Sequence, residues 1–122
     1  MAVDIYTELN DIFELVDVPY GMGFFMGDGK EPVFIVYLVY GDDISARAEN
    51  KIAQVTYRVK VDIIARAGAS FTETERKVKI FLGNAGYSYK NGEGESDTKE
   101  PYDYHRVLYF DRHLYFDDLD FE

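Results

Sequence analysis

The chain has 122 residues, no cysteine, and 23 acidic against 13 basic residues, for a net charge of −10. The missing cysteine excludes disulfides, a thiol nucleophile and zinc sites built on thiolates. The acidic excess argues against a nucleic-acid-binding protein, because such proteins neutralise phosphates with a surplus of Lys and Arg. The length is typical of one domain, and we expect residues 1–122 to form a single domain with a frayed acidic tail at 117–122.

The hydropathy pattern does not predict a membrane-bound or exported protein. The longest uninterrupted apolar run covers residues 33–40, well short of the roughly 18 apolar residues that a membrane span needs. The first residues, MAVDIYTELN, lack the basic start and the long apolar run of a signal peptide. We therefore expect synthesis in the cytoplasm and no membrane partner.

Residues 3–17 are predicted to form the first, amphipathic helix. Asp4 is positioned to cap its start, and Pro19 prevents its continuation. Its apolar residues recur at steps of three and four and so share one face. They are Ile5, Leu9, Ile12, Phe13 and Val16.

A glycine-framed segment at 21–29 and a strand at 33–40 follow this helix. The strand is apolar at odd and even positions alike, which predicts a central strand covered on both faces. Residues 41–52 are polar with small residues at their centre, and we predict a loop there. In 53–65 every odd residue is apolar and every even residue except Ile64 is polar, which predicts a long strand with one buried face.

The second half of the chain predicts one helix and two strands. The helix covers 70–85, with Ser70 or Thr72 as its candidate cap and Gly86 in the left-handed position that ends it. A strand begins at 87–90, a polar loop covers 91–101, and a last strand runs from 102 to 110 and on towards 116. The order predicts an α+β fold, with two helices packed on one face of a mostly antiparallel sheet of four to five strands.

No residue pattern predicts catalysis, a cofactor or a metal site. His105 and His113 each follow an aspartate by two residues, which suits metal ligands, but no third ligand is specified and two surface histidines are the simpler interpretation. The glycines of 21–29 do not have the spacing of a phosphate-binding loop. We therefore expect a non-enzymatic protein that works without cofactors.

Five stretches of the chain resemble small bacteriophage or prophage tail-completion proteins, the family of tail terminators and minor tail proteins. They are VPY at 18–20, PVFIVY at 32–37, TYRVKVD at 56–62, FLGNAGY at 81–87 and YHRVLYF at 104–110. The resemblance implies a structural virion protein without catalytic residues. Terminators form a ring, commonly hexameric, that caps the tail tube and joins it to the head connector.

The resemblance also implies partners and a location. The partners would be further copies of this chain and the proteins of the tail tube or the head–tail connector, with no sequence-specific nucleic acid among them. The protein would move from the host cytoplasm to the tail or neck of the virion.

The two predicted loops are the candidate subunit contacts, because long loops in small domains are commonly functional. The candidate residues are Asp42, Asp43, Arg47, Glu49 and Lys51 in the first loop and Glu93, Glu95, Asp97 and Lys99 in the second. Deletion of 92–99 is then expected to leave the domain folded and to impair assembly.

Two other functions are compatible with the same residues. A head-completion protein of similar architecture would dock elsewhere in the virion. A small binding module would instead hold a ligand or a peptide on the polar face of the sheet or at the glycine-framed segment.

Overall fold

The computed structural model describes residues 4–24, 31–48, 51–66, 71–95 and 104–115. These residues form two helices and five strands, which confirms the predicted α+β fold. In chain order the elements are α1 (Ile5–Val16), β1 (Tyr20–Met22), β2 (Val33–Ala48), β3 (Lys51–Ala65), α2 (Phe71–Asn84), β4 (Tyr87–Glu95) and β5 (Tyr104–Tyr115). The predicted frayed tail at 117–122 lies outside the described residues.

Helix α1 forms where its apolar spacing predicts it. Asp4 caps its start by accepting hydrogen bonds from the backbone N–H of Tyr6 at 3.0 Å and from the Thr7 hydroxyl at 3.0 Å. Asp17 ends it in the left-handed conformation, with φ of 62°. All five residues of the predicted apolar face are buried.

The short strand β1 connects α1 to the edge of the sheet. It pairs in parallel with β2, from Tyr20 opposite Ile35 to Met22 opposite Tyr37. The hydroxyl of Tyr20 donates to the Glu14 carboxylate at 2.6 Å. Burial, and then this hydrogen bond, raise the pKa of Tyr20 to about 12. The contact holds β1 against the C-terminal half of α1.

The sheet has the strand order β1-β2-β3-β5-β4, and each neighbouring pair except β1–β2 is antiparallel. At its centre Tyr37, Val61 and Leu108 lie side by side on β2, β3 and β5. These residues are buried in one apolar core together with the inner faces of α1 and α2. The predicted packing of both helices on one face of the sheet is therefore confirmed.

Strand β2 is longer than predicted, and the predicted loop at 41–52 is wrong for residues 41–48 and 51–52, while 49–50 lie outside the described residues. Asp42 lies opposite Tyr57 and Ile44 opposite Val55, and the pairing reaches Ala48 opposite Lys51. Antiparallel pairing with β3 holds this polar segment in a strand despite its poor strand composition. Three register shifts, the first between Val39 and Gly41, take up the irregularity.

The composition of strand β2 predicted that it is covered on both faces, but the described helices cover only one of them. Ile35 and Tyr37 are buried, whereas Leu38 and Tyr40 are 42% and 48% exposed. The physical reason is that both described helices pack on the same side, so alternate residues of β2 contact neither of them.

Helix α2 lies within one residue of its predicted range. Val78 and Leu82 are fully buried, and Phe81 packs against the same core. Gly86 has a φ of 98°, as its predicted role in ending the helix requires. The candidate cap Ser70 lies outside the described residues, and the other candidate, Thr72, is wrong because it lies inside the helix, which begins at Phe71.

Strand β4 continues through Glu95, so the predicted loop at 91–101 is wrong for residues 91–95. Gly92 lies opposite Leu108, and Glu95 lies opposite His105. The remainder of that predicted loop lies outside the described residues. Deletion of 92–99 would remove paired strand residues, and the expectation that it leaves the fold intact no longer holds.

Candidate assembly surface

One face of the sheet is covered by neither described helix. We call it the open face. It carries the even-numbered side chains of β3 between Gln54 and Ile64 and the odd-numbered side chains of β5 between His105 and Tyr115. This face is not uniformly exposed, since Val107 is fully buried on it and Thr56 is 8% exposed, so another molecule could contact its more exposed parts.

Large apolar side chains are exposed on the open face. Leu38 and Tyr40 project from β2, and Tyr40 meets Tyr109 of β5 edge to face, with ring centroids 6.1 Å apart. Tyr115, at the end of β5, is 55% exposed. Exposed aromatic and aliphatic residues grouped in this way are typical of protein contact surfaces.

The bases of the open face are paired with neighbouring acids. The pairs are Arg58 with Asp43, Lys60 with Asp62 at 3.8 Å, and Lys90 with Asp111 at 3.5 Å. Exposed ion pairs of this kind contribute little to stability, about 0 to 1 kcal/mol each. They do place fixed charges of both signs around the apolar side chains, which is the arrangement that selects one partner orientation over another.

His105 and His113 make cross-strand contacts with β3. His105 Nε2 lies 3.5 Å from Asp62 Oδ2. His113 Nδ1 lies 2.7 Å from the Thr56 hydroxyl and 3.3 Å from the Gln54 amide nitrogen. Both rings are thus engaged with residues far away in the sequence.

The spacing of each histidine with its sequence-near aspartate does not produce a shared site among the described residues. Asp103 lies outside them, and Asp111 is the partner of Lys90. Within the described ranges, no three His, Asp or Glu side chains are grouped so that they could hold a metal ion.

The predicted interface residues are divided between the two faces of the sheet. Asp43 pairs with Arg58 on the open face, and Glu93 lies opposite Val107 on the same face. Asp42 instead lies opposite Tyr57, which packs against the core. Arg47, Lys51 and Glu95 lie in β2, β3 and β4, and Glu49, Asp97 and Lys99 lie outside the described residues. Their role in subunit contacts stays a prediction.

Two ion pairs between the helices and β5 were missed by the sequence analysis. Arg112 donates to the Glu8 carboxylate at 3.0 and 3.3 Å, and Arg106 donates to Glu75 at 2.7 Å. The partners are 104 and 31 residues apart, so no local spacing indicates them. One signal was present, since both arginines alternate with the apolar residues on the buried side of β5 and each needed an acid from a helix.

No protein-family model matches the sequence of this chain, and no curated protein matches it either. Neither described helix is both long enough and apolar enough to cross a membrane. What the protein does must therefore be inferred from its surface.

Proposed function

We propose that this chain is a structural assembly protein, without enzymatic activity, that forms a homo-oligomer through its open face. The observation that supports this most directly is a sheet face that neither described helix covers and on which Leu38 and Tyr40 are exposed. Burial of side chains of this size from full exposure contributes about 1.5 to 3 kcal/mol each, and because Leu38 and Tyr40 are already about half buried, other residues of the face must add to their contribution.

We further propose that the oligomer is the ring of a bacteriophage tail terminator, which joins the tail tube to the head connector. The five sequence stretches that resemble tail-completion proteins support this assignment. A ring requires two different surfaces on each subunit, because its contacts are head-to-tail. The open face supplies one of them.

Strand β4 supplies the second surface. It is the last strand of the described sheet, and only β5 pairs with it. The outer edge of such a strand presents backbone N–H and C=O groups to a neighbouring chain. Lys90, at the register shift between Tyr89 and Asn91, makes this edge irregular and charged, which restricts pairing to a matching partner.

The mass of the purified protein, measured by light scattering over a range of concentrations, tests the proposal. We expect one species whose mass is a fixed multiple of the chain mass, with a sixfold multiple as the typical terminator ring. A species that stays monomeric at every concentration would contradict a self-assembling ring. Electron microscopy of the same sample would show whether an oligomer is closed.

A small peptide-binding module is the second candidate function, and the outer edge of β4, with which no described strand pairs, favours it. An extended peptide could add to that edge as a further strand. A monomer that binds an extended peptide, with loss of binding when β4 is altered, would establish this function instead. A head-completion protein would share the oligomer and differ in co-assembling with heads rather than tails.

A further inference from the structure

A shallow pocket lies where the start of α1 meets β2, on the helix side of the sheet. Its lining residues are Tyr6, Val39, Tyr40, Gly41, Asp42 and Tyr57. It forms at the register shift between Val39 and Gly41, which locally breaks the regular pairing of β2 with β3. Such bulges change the direction of side chains and are common beside binding sites.

The pocket combines tyrosine rings with carboxylates. Tyr6 is 44% exposed in the first turn of α1, and Tyr57 is partly buried beside it. The pKa of Tyr57 is raised by burial first and then by the nearby Asp42, Tyr6 and Asp4. Asp4 also offsets the positive end of the α1 dipole, which would otherwise oppose a cation here.

Asp42 and Asp43 are adjacent in sequence but differ in their partners. Asp43 is paired with Arg58. Asp42 is exposed, and its carboxylate makes no ion pair or hydrogen bond with another described residue. No described Lys or Arg side chain forms an ion pair with Asp42, so its carboxylate is a candidate acceptor for a cationic group of another molecule.

We infer that this pocket binds an arginine side chain of a partner protein. A guanidinium group stacks on tyrosine faces while its N–H groups donate as a fork to a carboxylate, a combination that an ammonium group cannot match. The net charge of −10 favours a basic partner over a second copy of this chain. The inference does not rest on the proposed function, because Tyr6, Asp42 and Tyr57 lie on the helix side of the sheet, and Tyr40 is the one lining residue that the pocket shares with the open face.

An NMR titration of the full chain, with ¹³C-labelled tyrosine rings, tests this inference. The probe is N-acetyl-arginine methylamide, and the neutral comparison is N-acetyl-citrulline methylamide, which has nearly the same shape. We expect saturable shifts of the Tyr6 and Tyr57 ring signals with the arginine probe and none with citrulline. The substitution Asp42→Asn should weaken binding about tenfold, which corresponds to the loss of one charge-assisted contact.

The substitution Asp43→Asn is the matched control, because it removes the same charge from the next residue, on the other face of the sheet. It should change the affinity less than about twofold, since exposed charges on the opposite face act mainly through screened long-range effects. Equal weakening by the two substitutions would mean diffuse attraction to an acidic surface and would overturn the inference. Equal binding of the citrulline probe, equal or tighter binding of tetramethylammonium, or shifts without saturation would also overturn it.

Discussion

Glu75 connects α2 to strand β5 of the sheet. It receives hydrogen bonds from Lys79 on its own helix at 3.0 Å and from Arg106 on β5 at 2.7 Å. Its side chain is 19% exposed, so water replaces these bonds only in part. Arg106 in turn needs the carboxylate, because a guanidinium group left half-buried without a partner is costly.

Replacing Glu75 with Gln should destabilise the fold by about 1 to 3 kcal/mol, the usual cost of removing one partner from a hydrogen-bonded charged group. Urea unfolding measures the change. Glu73→Gln is the control, because Glu73 lies on the same helix with only an exposed contact of 3.9 Å to Arg76; we expect a change within about 0.5 kcal/mol. Equal losses in both variants would assign the effect to helix charge rather than to the contact with Arg106.

The difference in stability between the wild type and Glu75→Gln depends on pH through the pKa of Glu75. Burial alone would raise that pKa, but the hydrogen bonds and charges of Lys79 and Arg106 outweigh burial and lower it below its usual 4.5. The folded state therefore binds the proton less readily than the unfolded chain, and the contribution is fully present above about pH 4.5 and is lost as the pH falls through the folded pKa. The stability difference between the wild type and Glu75→Gln should shrink on acidification. A difference that stays constant from neutral pH to strongly acidic pH would contradict this.

Replacement by Ala is expected to have opposite effects at Gly86, which follows α2, and at Gly83, which lies within α2. Gly86 has a φ of 98°, and a Cβ there would lie 2.6 Å from Nη1 of Arg112, the partner of Glu8. Gly86→Ala should therefore cost about 1 to 2 kcal/mol from backbone strain alone. Gly83 lies inside the helix with open space around its Cα, and Gly83→Ala should stabilise by about 0.5 to 1 kcal/mol. Thermal unfolding of the two variants checks the signs, and a stabilising Gly86→Ala would refute the strain argument.

At the scale of elements, periodicity predicted those parts of the fold that bury one regular face. The five buried residues of α1 and the odd residues of β3 were readable because water exclusion imposes a repeat of 3.6 or 2 on the sequence. The strand conformation of the second half of β2 could not be predicted from the sequence. Its residues from Gly41 onwards are in a strand because β3 pairs with them, and pairing partners leave no periodic signal when the segment carries bulges.

The candidate surface was predictable only in part for the same reason. The polar even residues of β3 indicated a solvated face, and they do lie on the open face, although Thr56 there is only 8% exposed. Strand β2 is apolar at every position of 33–40, so the sequence could not tell which of its faces the helices would cover. Leu38 and Tyr40 are exposed because both described helices pack on the other side of the sheet. That packing is determined by tertiary structure and not by the sequence of β2 alone.

The start of α1 offers a prediction at the scale of one element. Replacing Asp4 with Ala removes the acceptor for the backbone N–H of Tyr6 and for the Thr7 hydroxyl, and should lower the melting temperature. Asp11→Ala is the same substitution at an exposed position in the middle of α1, where Ala is the better helix former; it should leave the melting temperature unchanged or raise it. Far-UV circular dichroism during heating measures both. A fall of the same size in Asp11→Ala would mean that the loss reflects overall charge rather than the cap.

For the whole molecule, net charge and surface pattern act in opposite directions on assembly. A charge of −10 makes copies of the chain repel one another, and this repulsion is screened by salt. The exposed apolar side chains of the open face favour association and so act against this repulsion. The basic residues of that face are already paired with neighbouring acids. If self-association uses that face, the oligomer should be favoured by added salt, in contrast to an interface held together mainly by ion pairs between subunits.

Substitutions of two exposed leucines on different surfaces test whether the subunit contact lies on the open face. Leu38 is 42% exposed on the open face, and Leu15 is 68% exposed on α1. If the proposed oligomer forms, Leu38→Lys should dissociate it, because a charged side chain would have to be buried in the contact, whereas Leu15→Lys should leave it intact. Light scattering measures both variants, and circular dichroism verifies that each is folded. Dissociation by Leu15→Lys with no effect of Leu38→Lys would move the subunit contact to the helix side and refute the role of the open face.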